Sequence, residues 1–160
     1  MDAIVDGASL LKRLAYAFIG LLVGDATLLL YLVQNALRVR STLLAAQMGE
    51  PAKAIPNAVQ AFIFLAIFSF AGWLFVGIPT VTLFSGRSIA RLSWPLALIV
   101  GAALGPLALL AILLLLGHGY IYLSPSFAET ATQFAYSILI SAVAFSVYAA
   151  LLRRERARGA

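Results

Sequence analysis

The sequence predicts an all-α integral membrane protein, a bundle of four transmembrane helices in a single domain over residues 1–160. Three observations carry that expectation. Hydrophobic residues make up 63% of the chain and charged residues only 11%, against about 45 to 50% and about 25% in a soluble domain. The charges cluster, and the gaps between the clusters are long enough to cross a bilayer, which takes about 20 predominantly apolar residues. Finally, the runs are continuous rather than alternating in polarity, so a barrel is excluded and helices are left to satisfy every backbone N–H and C=O.

The first span runs over about 14–37, between Lys12/Arg13 and Arg38/Arg40, and holds one charge, Asp25. Its apolar stretch is too long for a cleavable signal peptide and no small-residue cleavage site follows it, so it is expected to stay in the mature protein. Residues 38–48 then read as a short interfacial helix with Leu43, Leu44 and Met48 on one side, ended by Gly49 and Pro51. The second span covers about 59–84, the third about 94–116 and the fourth about 131–152. Kinks are expected near Pro79 and Pro106, with Pro95 in a first helical turn. Gly117-His118-Gly119 marks the exit of the third span, and Tyr120 to Phe127, with Pro125, reads as a loop in the headgroup region.

With four spans both termini lie on one side, and the cations choose which. Lys12, Arg13, Arg87, Arg91, Arg153, Arg154, Arg156 and Arg158 share one face, while Arg38, Arg40 and Lys53 share the other. The termini are therefore expected in the cytoplasm, of a bacterial-type inner membrane. Aromatic residues populate both interfaces: Tyr16, Phe84, Trp94 and Tyr148 at one, Tyr31, Phe62, Tyr120, Tyr122 and Tyr136 at the other.

Asp25 is the position that asks for a reason, because a carboxylate near the centre of a span costs about 2.5 to 3.5 kcal/mol on insertion scales. It is either a titrating group on a proton or ion path, or a neutral acid hydrogen-bonded across the bundle. Ser69, the Trp73 indole and Ser141 lie at comparable depth and are the candidate partners. An acid in the first of four spans is similar to the small multidrug-resistance exporters; the likeness rests on Asp25 alone, and the longer chain and different loops carry over no further site residue.

Gly20 and Gly24, then Gly101 and Gly105, form GxxxG pairs on the first and third spans, and Ser137, Ser141, Ala142, Ser146 and Ala150 give the fourth a small-residue side. Such faces admit a second backbone, either within the bundle or between subunits. An inverted repeat is not supported, since Asp25 has no counterpart in the third span.

Enzyme chemistry finds no footing. Intramembrane hydrolysis needs a serine with a base, or two aspartates, at one depth, and neither pair exists. One histidine, His118, and no cysteine exclude a bis-imidazole haem or a zinc site, so no metal and no cofactor is expected. The net charge of +5 comes from cations beside span ends. Arg153, Arg154, Arg156 and Arg158 read as an anchor to anionic lipid, with no nucleic-acid role. The expected function is a non-enzymatic subunit or accessory component of a membrane assembly, with itself, other membrane subunits and lipids as partners. The alternative is a small oligomeric proton-coupled transporter or channel with Asp25 titrating.

Overall fold

The computed structural model describes residues 9–46, 50–115 and 127–158, and all regular structure among them is helical. Helix α1 spans Leu10–Ala46. A 3₁₀ turn at Pro51–Lys53 leads into α2, Ala54–Gly72. A π-helical turn at Trp73–Gly77 joins it without a break to α3, Ile78–Leu83. The short α4, Gly86–Ala90, precedes α5, Trp94–Leu115, and α6 closes the chain over Phe127–Arg158. Four of these helical stretches are long and apolar enough to cross a membrane: Leu10–Leu44, Pro51–Leu83, Trp94–Leu115 and Thr130–Arg158.

The expected spans overlap these helices, with 84 just past the end of α3 and 116 outside the described residues, and the larger differences have local causes. The stretch after Leu37 is not a separate surface helix over 38–48 but the continuation of α1 as far as Ala46, with 47–49 outside the described residues. No glycine or proline interrupts it, and the Ser41 and Thr42 hydroxyls fold back onto the Arg38 carbonyl at 2.7 and 3.0 Å. At 37 residues, α1 is about 55 Å long. The second span departs from α-geometry just before Pro79. Proline lacks the N–H that the Phe75 carbonyl would receive and its ring crowds that carbonyl, and the Ile78 N–H bonds instead to the Trp73 oxygen, five residues back. Pro95 sits in the first turn of α5, and α5 runs unbroken through Pro106. His118, Tyr120, Tyr122 and Pro125 lie outside the described residues.

The helices form a ring in the order α1, α2, α5, α6. Helix α6 packs extensively on both α1 and α5, whereas α2 packs on α1 and touches α5 lightly. The reason is written in the glycines. A Cβ at Gly24 would stand 2.6 Å from the Ile140 carbonyl oxygen, and one at Gly20 would overlap the Ala144 carbonyl. On the other side, a Cβ at Gly101 would lie 2.7 Å from the Ser141 carbonyl oxygen and 2.8 Å from the Ala142 Cα, and one at Gly105 would strike Ser137 and the Ser141 hydroxyl. Both GxxxG faces are thus occupied within the chain, one on each flank of α6.

Two apolar clusters hold the ring together. One gathers Val81, Ile89, Ala97, Phe145, Tyr148 and Leu152 at the end carrying the termini. The other gathers Leu21, Leu28, Leu32 and Ile140 further along, with Tyr136 packed on it, and the Tyr31 and Tyr136 rings meet edge to face at 6.1 Å.

Because no side chain fits at Gly101, Gly101→Ala is expected to destabilise the fold by about 1 to 3 kcal/mol, read as a lowered midpoint in detergent unfolding. Ala103→Leu, on the exposed side of the same helix, is expected to leave that midpoint in place.

Candidate functional site

Asp25 follows Gly24 and so is turned about 100° from it around α1, away from the α6 contact and toward α2. There Ser69 is the group that meets its carboxyl. The Asp25 Oδ1 and Ser69 Oγ atoms are buried, yet neither closes a hydrogen bond of normal geometry among the described residues. The other two candidate partners are placed elsewhere. Ser141 faces Gly105 on the α5 side of α6, and its hydroxyl donates to the Ser137 carbonyl at 2.6 Å. The Trp73 ring packs edge to face on Phe18 at 5.4 Å and stacks with Phe70 at 5.9 Å, and its buried Nε1 donates to nothing among the described residues. The structure therefore brings Asp25 and Ser69 together, and leaves Ser141 out because it serves the other flank of α6.

On the axis of the ring lies an apolar cavity of about 360 Å³, walled by α1, α2 with its π turn and α3, α5 and α6. Ser69, Trp73, Val76 and Gly77 line it from the second span, and Gly105, Ser137 and Ser141 from the opposite side. Along α6 the wall extends from Gln133 to Tyr148, a length of about 22 Å at 1.5 Å per residue. Phe64, itself 51% exposed, belongs both to this wall and to the outer surface, so the cavity borders the loose α2–α5 seam. Gly72 and Ala108 form the close approach across that seam, a Cβ at Gly72 lying 3.1 Å from the Ala108 Cβ.

The end of the bundle carrying the termini holds a polar network that the charge pattern does not reveal. Arg13 is only 7% exposed and its guanidinium donates to the Val81 and Phe84 carbonyls, the oxygens left open where α3 ends. A cation at a helix C-terminus satisfies these groups and the helix dipole together. Beside it Lys12 pairs with Glu155 at 2.9 Å, and the Tyr16 hydroxyl donates to the other Glu155 oxygen at 2.9 Å, so α1 and α6 are tied across the chain. The i, i+4 spacing of Lys12 and Tyr16 put both on one helical face and was the available signal; that Arg13 reaches a different helix was not readable. Among the C-terminal arginines, Arg154, Arg156 and Arg158 are exposed, while Arg153 is half-buried with Nε on the Ala149 carbonyl at 3.3 Å.

No group of three or more His, Asp or Glu side chains among the described residues is arranged to hold a metal ion. No family model matches the chain, and no curated protein or solved structure shows significant similarity to it.

Removing the guanidinium leaves the Val81 and Phe84 oxygens unmet, so Arg13→Ala is expected to cost about 1.5 to 3 kcal/mol, measured as a loss of thermal stability in detergent. Arg13→Lys is expected to recover only part of it, because both bonds come from one terminal guanidinium nitrogen, which the shorter and more strongly hydrated lysine ammonium must replace at the same depth, and the exposed Lys12→Ala is expected to change stability less than either.

Proposed function

We propose that this chain is a non-enzymatic integral membrane protein, a subunit or accessory component of a membrane assembly, with both termini in the cytoplasm of a bacterial-type inner membrane. The observation that carries the reading is the state of the second span. Its most apolar window is only 6% buried inside the chain, against 33% for the fourth span. Ile63, Ile67, Phe70 and Phe75 are between 45% and 64% exposed on it. A surface this apolar calls for lipid or another membrane helix. The glycine faces, which would otherwise serve oligomerisation, are already used against α6, so α2 is the flank this reading assigns to a partner.

The alternative, a small oligomeric proton-coupled transporter or channel, is favoured by one observation: Asp25 is an intramembrane acid that meets the neutral Ser69 hydroxyl rather than a cation among the described residues, and such acids mark ion paths by default. The axial cavity speaks for the first reading, since a space lined mainly by apolar side chains stays dry and offers ions no path.

The chain contains no cysteine, so single cysteines report without background. Ser88→Cys is expected to react with an impermeant maleimide from the cytoplasmic side only and Glu50→Cys from the opposite side only; the reverse pattern would invert the proposed orientation. A photocrosslinking residue at Ile67 is expected to give a discrete protein adduct of defined mass in native membranes, and one at Leu22 on α1 only lipid adducts. Equal lipid adducts at both would remove the support for an assembly role.

Asp25→Asn separates the two readings. A structural acid tolerates the amide, with membrane abundance and assembly unchanged, whereas a proton-coupled transporter loses pH-driven flux in proteoliposomes.

A further inference from the structure

We propose that the axial cavity is a binding site for one neutral lipophilic carbonyl compound of the isoprenoid-quinone class. The inference rests on the membrane reading above and extends it to a ligand.

Volume and shape come first. About 360 Å³ falls in the range of small-molecule sites, and a wall about 22 Å long along α6 suits an elongated tail rather than a compact solute. The lining is apolar over nearly all its area, with a few polar groups at fixed places, the composition of a site that takes its affinity from burial and its orientation from one or two hydrogen bonds.

The orienting group is Trp73. Its Nε1 is buried with no acceptor among the described residues, and an indole N–H can only donate, so its natural complement is a carbonyl oxygen. The Cδ1 corner next to that nitrogen lies over Gly77, where a Cβ would stand 2.8 Å from it. Gly77 therefore makes room for the indole at the cavity wall, and the π turn that contains both residues is the kind of helix defect often found at functional sites. Ser69, one turn before Trp73, lines the same cavity with a second buried polar atom.

Depth then decides between carbonyl compounds. Ser69 and Trp73 lie near the middle of the second span. A phospholipid carries its ester carbonyls at the interface with a charged headgroup beside them, and placing that headgroup at mid-membrane is costly. A quinone has a neutral ring with carbonyl acceptors and an apolar tail, so it reaches this depth without such a cost. It would enter through the α2–α5 seam at Phe64.

The test uses the full chain in nanodiscs, with decylubiquinone as the probe and native mass spectrometry as the readout. The wild type is expected to show one saturable adduct per chain. In Trp73→Phe the apparent affinity falls about tenfold, the loss of one buried hydrogen bond, and the infrared band of a ¹³C-labelled quinone carbonyl returns to its frequency in lipid. Val76→Phe, which fills the cavity, abolishes the adduct, while the smaller but still aromatic Trp73→Phe keeps the test alive should that variant fail to fold. No saturable adduct, or an unchanged affinity and carbonyl band in folded Trp73→Phe, overturns the proposal. Retention of co-purified phospholipid as the sole saturable occupant also overturns it, in favour of an acyl chain. Release of the chain from membranes by alkaline carbonate would instead defeat the membrane reading itself, so the two failures are distinguishable.

Discussion

Everything in this structure depends on how closely two helices approach the backbone of α6. Hydrocarbon supplies no hydrophobic force between helices, so association in a bilayer depends on close van der Waals packing and interhelical hydrogen bonds. Gly20 and Gly24 bring α1 onto the Ile140 and Ala144 carbonyls, and Gly101 and Gly105 bring α5 onto Ser137 and Ser141. The two sets of α6 residues interleave along the helix, so α6 is clamped from both flanks over the same turns. That clamp sets the register in which Glu155 meets Lys12 and Tyr16, and in which Arg13 reaches the open carbonyls of α3.

The fourth side of the ring has no such clamp. The second span meets α5 only lightly, through α2, where Gly72 passes Ala108, and through the π turn before Pro79. The cavity is the consequence: three helices are drawn together by their glycines, the remaining one is held mainly by α1, and Trp73 and Phe68 line the space left on its inner side. The same looseness leaves the outer face of α2 exposed. One asymmetry in packing thus generates both the internal cavity and the exposed apolar flank.

Much of this was legible in the order of residues, and the parts that were not share a cause. The four apolar helices follow from charge spacing, and the close-packing faces follow from glycines four apart, because each signal is local to one helix. Asp25 and Ser69 were both singled out, but their pairing, and the exclusion of Ser141, depends on the rotation of each helix about its axis. Arg13 reads as one more flanking cation until α3 is seen to end against it. The extension of α1 to Ala46 was missed because polar and charged residues at 38–42 suggested a change of element, while the backbone, meeting no glycine or proline, continued as helix.

What the sequence by itself determined is the number of apolar helices, their approximate ends and the small-residue faces on which they pack, since burial of polar backbone and transfer of charge are settled residue by residue. Which face meets which, and what is left unfilled, was decided only by the tertiary structure. A cavity, a capped helix end and an unpaired indole nitrogen are properties of several helices at once, and no single helix carries the information that fixes their relative rotation and depth.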